Sequence, residues 1–500
     1  MAEPDTTPAN WNDATRVPSA SRPRLTFDLD ADVCVIGGGL AGLTVAREVA
    51  RRGWSVVVLE ANRVAWAASG RGTGFVVPGF SEDIDNMVER VGLDHAKQLW
   101  QLAESGVDYV RRAIAETGMP GVDPVDGWLK ISKTDDGEEI RTFVERLRWI
   151  GANVEMWAAE KVRSVLPNRH YFNGVHFPGA FHIHPLNYAL GLAAAAEAAG
   201  ARIFEDTPAV AIDPAGVRKR IVTQGGRVRA SHVVLAGNVH LGLLMPRLAA
   251  TLMPITTYVM VSESLGPHLH EIIRYHGGVT DGKRADNHYR IVDGDRLQWA
   301  GRMTVWPAGA RWFARGLVAD IRRNFPELGK VKIAHLWSGT HGRSVHHMPQ
   351  IGAIEPGVWV ASGFGAHGLN TTAMAGELIA RGMIENDETW RLFAPYELVW
   401  AGGLLGRAAV QSVYWGTKPL DRIGQGLARY REGARRRRAE RLAVRSARLA
   451  AAQAAAPMPS AQLQTSDSAE PRAERPFGKR PRGKRGGRGR KPANPTQGEG

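Results

Sequence analysis

An apolar run at 33–36 opens into Gly37-Gly38-Gly39-Leu40-Ala41-Gly42, and a helical pattern follows at Leu40, Leu43, Val45, Ala46, Val49 and Ala50. Gly53 stops it, and a second β-branched run, 56–59, ends on Glu60. Run, glycine turn, amphipathic stretch and run predict a βαβ unit with parallel strands. Helical periodicity returns at 83–118, where Val91, Leu99, Trp100, Leu102, Val107, Val110 and Ile114 make an apolar face ahead of Gly118-Met119-Pro120. A strand at 128–132, a helix at 136–150 and an alanine-rich helix at 186–199 come next. Strands are then expected at 210–212, 219–223 and 231–238. Between 251 and 301 short alternating runs broken by Gly, Pro and Asp predict an antiparallel sheet, unlike the opening unit. A helix at 311–325 (Phe313, Leu317, Ile321, Phe325) and a strand at 331–337 lead to a second strand-to-helix transition through glycines. Residues 358–362 enter Gly363-Phe364-Gly365-Ala366-His367-Gly368, with a helix at 371–383.

The opening stretch carries chemistry as well as pattern. Gly37 makes the tight turn, Gly39 allows backbone to approach a pyrophosphate, and Gly42 lets helix and sheet pack closely. Leu40 and Ala41 offer the free amides and positive dipole of a helix N-terminus. Glu60, 18 residues past Gly42 and followed by Ala61, is placed to accept from ribose hydroxyls. The stretch therefore predicts a dinucleotide site, without saying which dinucleotide. The second glycine loop adds another helix N-terminus, which can stabilise negative charge elsewhere on a large ligand. The stretch 62–75, rich in small residues and carrying Arg63 and Arg71, suits close passage of backbone beside a ligand.

Composition narrows the partners. The net charge is +14, but residues 429–500 hold 19 Lys and Arg against 6 Asp and Glu, which is +13 of it. The remaining 428 residues are thus nearly neutral, and the basicity belongs to a tail. Its final segment is too polar and repetitive to build a core, and disorder is expected over the last forty or so residues. One cysteine, Cys34, excludes a disulfide framework and an iron–sulfur or zinc cluster, and fits a reducing, cytoplasmic compartment. The polar N-terminus lacks the apolar core of a secretory leader. No membrane span is expected, since the most apolar candidate, 398–415, contains Arg407 and several glycines.

Five stretches taken together resemble the D-amino-acid-oxidase-type FAD oxidoreductases, nearest the glycine/sarcosine oxidase and γ-glutamylputrescine oxidoreductase branch. They are ADVCVIGGGLAGL with LEA; AASGRGTG; HPLNYALGLAAAAEAAGARIFEDT; DRLQWAGR with FPEL; and WSGTHGRSVHHMPQIG with GFGAHGLNTTAMAGELIA. The resemblance implies FAD as cofactor and an α/β fold, α+β overall. A Rossmann-like FAD-binding domain would use 31–80, 151–240 and 331–390, and an antiparallel substrate domain 81–150 and 241–330. A polar arm (1–30), an extension packed on the body (391–428) and the basic, largely disordered tail (429–500) complete the expected organisation. By position, Gly37, Gly39 and Gly42 would hold the pyrophosphate, Glu60 the ribose, and Ser69, Gly70 and Arg71 would pass the flavin. Gly363, Gly365, His367 and Gly368 would line the isoalloxazine. Leu40, Ala41, Ala61 and Gly237, at the end of the 231–238 strand, complete the expected cofactor contacts. Gly72-Thr73-Gly74 stands where the family commonly has Asn-Gly-Gly. With no cysteine near the second loop and no histidine in 61–75, the FAD is expected to be noncovalent.

The implied reaction oxidises the C–N bond of an amine or amino acid by hydride transfer to flavin N5. The imine is hydrolysed afterwards, and O₂ (giving H₂O₂) or another acceptor takes the electrons. Candidate catalytic residues are His367 in the flavin loop, Arg302 at the end of the strand 296–302, and His347 beside His346. Tyr258 and Tyr289 are candidates to line the pocket. His182 and His184 have metal-like spacing, but no carboxylate–histidine set completes a site, and no metal is expected. The competing reading makes RNA or another polyanion the main ligand, held by Arg435–Arg438 and the 479–491 cations.

Overall fold

The run 33–36 sits at the centre of a sheet because apolar residues on both faces demand cover on both sides. In a computed structural model, which describes residues 10–282 and 287–454, it belongs to the strand Leu29–Ile36. That strand pairs in parallel with Val56–Leu59 on one side and Arg227–Leu235 on the other; Cys34, fully buried, stands opposite Val57 and Val233. Arg202–Phe204 extends the sheet beyond Val56–Leu59. Val358–Ser362 extends it beyond Arg227–Leu235, and the antiparallel Gln350–Glu355 closes that edge. A hairpin, Ala209–Asp213 with Lys219–Thr223, completes eight strands. The helix Leu40–Arg51 packs across the helix Gly368–Ile384, and a Cβ added to Gly376 would lie 2.5 Å from Thr44 Cβ.

A second sheet has nine strands. Met253–Ser262, Arg296–Thr304 and Asn287–Val292 run antiparallel, as the broken alternation of 251–301 predicts. Four strands from segments expected in the nucleotide domain also lie here: Phe75–Val76 from 31–80, Glu155–Trp157 and Gly174–His182 from 151–240, and Ile333–Arg343 from 331–390. Tyr289 and Trp299 stack at 4.6 Å on one face, beneath Phe325. Alternation sends His288, Arg290 and Gln298 to the opposite face.

Single-helix periodicity at 83–118 resolves into Ile84–Val91 and Leu93–Thr117, because Gly92 takes φ 81° between them. The expected polar arm is built into the body: Trp11 and Leu25 are buried and Asn12 is fully so. Residues 1–437 form one unit, and a second comprises 438–500. Residues 429–454, the Arg- and Ala-rich start of the tail that reads as a basic helix, lie in a helix, Gly403–Ala454. The disorder expected further on falls outside the described residues. Among the described residues no helix is long and apolar enough to cross a membrane.

Candidate functional site

Three parallel strands deliver their carboxyl ends to the same edge of the first sheet. Leu29–Ile36 ends at Gly37, Arg227–Leu235 at Ala236-Gly237 and Val358–Ser362 at Gly363. Ligands of open α/β sheets bind at such an edge. Gly37 has φ 113°, and a Cβ there would lie 2.8 Å from the Ala236 carbonyl oxygen. A Cβ on Gly42 would lie 2.0 Å from the Gly37 oxygen. Neither position accepts another residue without moving backbone. Gly39 caps the helix Leu40–Arg51 without a side-chain bond, and Leu40 N–H donates to Ser69 Oγ at 3.0 Å. The first-turn amides of Ala41 and Gly42 point beyond the helix end. Glu60 accepts from Gly38 N–H at 2.7 Å and Asn62 N–H at 2.9 Å. Burial still raises its pKa, outweighing those bonds, with Glu205 adding to the rise. Ala61 follows it, exposed.

The turn Ala68–Arg71 crosses this edge. Gly70 N–H donates to the Ala65 carbonyl at 2.9 Å, and a Cβ on Gly70 would meet that oxygen at 2.3 Å. The loop is held from a direction the local sequence does not suggest. Asn12 Nδ2 donates to the carbonyls of Gly70 at 2.9 Å and Gly72 at 3.2 Å. Both partners are acceptors, which fixes the amide orientation and leaves Asn12 Oδ1 buried without a protein donor. Trp11 Nε1 donates to Asp293, and Trp337 Nε1 to the Arg71 carbonyl. Beneath the loop lies Arg290, buried and capped by the Trp11 ring. It donates to His182 Nδ1 (2.9 Å), the Ile183 carbonyl (2.8 Å) and Gln298 Oε1. Burial pulls its pKa down to about 9, against the opposing pull of Asp293.

His182 and His184 are structural here. His182 is held between Arg290 and the His276 carbonyl, and His184 caps the helix Pro185–Ala198 by accepting from Asn187 N–H. Among the described residues no cluster of His, Cys, Asp or Glu could hold a metal.

At the second loop Gly363 and Gly365 take φ 70° and 60°, and His367 precedes the first residue of Gly368–Ile384. His367 is half-buried overall, but its Nδ1 is buried and has no partner. Burial, reinforced by the field of Lys130, pulls its pKa down to about 4. His347 takes φ 59°; burial and then Arg343 depress its pKa. His346 is occupied, its ring facing Ser344 Oγ and the Glu397 carbonyl while its Nδ1 accepts from Met348 N–H. Arg302 does not present an unpaired cation. Its guanidinium is bound to Asp320 at 2.8 and 3.0 Å and to the Gly316 carbonyl, on the helix Arg311–Asn324. Tyr258 and Tyr289 face the core under that helix, Tyr258 stacked on Phe313.

Arg343, at the end of the strand Ile333–Arg343, was not singled out from the sequence. It bridges backbone to backbone with Phe364 of the loop, and its guanidinium makes no hydrogen bond or ion pair among the described residues. Burial lowers its pKa, opposed by Glu82. His341, two residues earlier, is held down to about 4 by burial and by Arg343. A lone arginine at a strand end carries no signal by spacing; only the fold brings it to the glycines.

Residues 32–381 match the family described as FAD dependent oxidoreductase, DAO. The chain belongs to this family. It is 32% identical over 379 residues to the gamma-glutamylputrescine oxidoreductase of Escherichia coli (strain K12), covering 74% of this chain and 87% of that protein. It is 30% identical over 383 residues to a probable oxidoreductase OrdL of Haemophilus influenzae, with the same coverage. Its fold matches the crystal structure of glycine oxidase from Geobacillus kaustophilus at TM-score 0.63 and 21% identity, over 74% of this chain and 98% of that one. The protein is an FAD-dependent oxidoreductase, and the residues present fit that cofactor. The glycines at 37, 39 and 42 leave a side-chain-free approach to a helix N-terminus. Three buried polar atoms near the glycine loops also lack a partner among the described residues: Asn12 Oδ1, Asn238 Oδ1 and His367 Nδ1. Buried polar atoms are seldom left unpaired, and a polar cofactor would satisfy them.

Proposed function

We propose that the protein oxidises the C–N bond of an amine or amino acid that also carries an anionic group. The observation behind this reading is Arg343, half-buried beside the loop 363–368, whose guanidinium has no hydrogen-bonded partner among the described residues. Partial burial depresses the Arg343 pKa despite the field of Glu82, and a substrate carboxylate would offset that loss of hydration. Relatives named for γ-glutamylputrescine and for glycine support an amine or amino acid as substrate class.

Bound noncovalently, FAD supplies the hydride acceptor at its N5. Gly37, Gly39, Leu40, Ala41 and Gly42 hold its pyrophosphate, Glu60 and Ala61 its adenosine ribose. Ser69, Gly70, Arg71 and Gly237 pass along its middle, and Gly363, Gly365, His367 and Gly368 edge the ring system. The N-terminus of Gly368–Ile384 stabilises negative charge there. Arg343 anchors the substrate carboxylate. His341, His347 and His367 have depressed pKa values and are neutral at pH 7. They orient the amine as hydrogen-bond acceptors without adding positive charge that would oppose electron loss at carbon. The imine product hydrolyses to a carbonyl compound and ammonia or an amine. Of the cations in the polyanion reading, Arg435 is paired with Asp135, and 479–491 lie outside the described residues.

The test is anaerobic bleaching of the flavin bands across a panel of amines and amino acids, followed by admission of O₂. Carboxylate-bearing amines should bleach at the lowest concentrations, and recovery of colour on aeration identifies an oxidase. In Arg343→Gln, KM for these substrates should rise about 10- to 100-fold, the worth of one charge-assisted bond. Neutral amines should be unaffected. A panel with no bleaching, or an equal loss for neutral amines, would overturn the proposal.

A further inference from the structure

Between residues 411 and 432 the helix Gly403–Ala454 is anchored along one side. Gln411 accepts from Val305 N–H at 3.1 Å, Tyr414 hydroxyl from Met303 N–H at 3.0 Å, and Glu432 pairs with Arg163 at 2.6 Å. Thr417 and Ala428 are buried on the same side. The outward side is apolar. Leu420, Ile423, Leu427 and Tyr430 recur at intervals of three and four, one stripe on a helix, and are between 51% and 70% exposed. Val413 continues the stripe one heptad earlier, across Pro419. Leu404, Leu405, Trp415 and Trp400 are more than half exposed, and Trp306 packs its edge on Trp415 at 6.0 Å. Soluble chains seldom leave so many large apolar side chains contiguous in water without a partner.

The surrounding charge selects the partner. From 404 to 431 the sequence holds five cations, Arg407, Lys418, Arg422, Arg429 and Arg431, against one acid, Asp421. Arg422, Arg429 and Arg431 are exposed alongside the stripe. A second copy of the chain would bring the same arginines against these. Nucleic acid would match the charge and leave the leucines in water. An anionic bilayer surface satisfies both: phosphate headgroups meet the arginines, tryptophan and tyrosine settle at the headgroup level, and leucine and isoleucine reach the acyl boundary.

We propose that residues 398–431 form a docking face for an anionic membrane surface, on which the helix lies flat without crossing. The stretch 398–415, too interrupted to span a bilayer, suits this interfacial placement. None of the residues invoked for this face is among those assigned to cofactor or substrate, so flotation tests it independently of the substrate.

The test is flotation of the full-length holoprotein with vesicles of phosphatidylcholine alone or with 30% phosphatidylglycerol. The protein should float with the anionic vesicles, partly released by salt, and remain below with the neutral ones. In the triple variant Leu420→Ser, Ile423→Ser, Leu427→Ser the partition coefficient should fall about tenfold or more, while flavin absorbance and circular dichroism are unchanged. If the triple variant fails to fold, Ile423→Asp alone should still lower partitioning severalfold. Three results overturn the proposal. One is no flotation on anionic vesicles. Another is flotation that the stripe variants leave unchanged, which would assign binding to the tail cations. The third is a dimer by light scattering that the triple variant dissociates, without flotation, which would make the face a self-association surface.

Discussion

Asn12 shows how a single residue can matter to the cofactor while standing outside the stretch, 32–381, that matches the family. Its two amide protons hold the Gly70 and Gly72 carbonyls, 58 and 60 residues away. Removing it frees one buried and one partly buried carbonyl, a loss of about 1–3 kcal/mol. In Asn12→Ala, FAD affinity is expected to fall about tenfold, read by titrating apoprotein with FAD and following flavin fluorescence. Asn12→Asp should be at least as damaging, since a carboxylate cannot donate to carbonyls. A lower melting temperature with unchanged FAD affinity would mean that Asn12 only braces the fold. The glycines of 37–42 and Glu60 were legible in the sequence because their chemistry is local and the turn excludes every other side chain. Asn12 and Arg343 were not, because nothing within ten residues of either announces a partner that folding supplies from afar.

Among elements, the crossing of Leu40–Arg51 and Gly368–Ile384 ties the two glycine loops together, since each helix begins at one of them. The approach depends on Gly376, whose missing Cβ leaves room for Thr44. Gly376→Val should push the helices apart at a cost of about 1–3 kcal/mol, because well-packed cores do not absorb an added branch. The displacement should reach both helix N-termini, so the purified variant should retain less FAD as well as melt earlier. Full flavin occupancy alongside the lower melting temperature would show that the loops are set independently of the crossing. The elements were largely readable in order, because period 3.6 and runs bounded by glycine survive without tertiary context. Which sheet a strand joins was harder. Gly174–His182 and Ile333–Arg343 are apolar-and-polar strands like their neighbours, and only pairing decides that they belong to the second sheet.

At the scale of the whole molecule, six histidines share one electrostatic condition. His170, His184, His288, His341 and His367 are held down to about 4 and His182 to about 3, each chiefly by burial. An unfolded histidine titrates near 6.5. Between pH 6.5 and about 4 the unfolded chain therefore binds protons that the native chain refuses. Stability must then fall as pH is lowered through this window, by at most about 1.4 kcal/mol per pH unit for each fully buried histidine. His182 and His184, buried and hydrogen-bonded, should dominate, while the half-buried rings are screened by solvent and contribute less. Glu60, whose pKa is raised, works in the opposite sense and softens the decline near its acid end. The holoprotein should accordingly melt at a constant temperature above pH 7 and at steadily lower temperatures from pH 6.5 to 4.5. His182→Gln keeps an acceptor for Arg290 but removes one titrating group, so its melting curve should be flatter with pH even if lower throughout. A melting temperature level or rising from pH 7 to 5, or an unchanged slope in His182→Gln, would show that these imidazoles take up protons in the native fold.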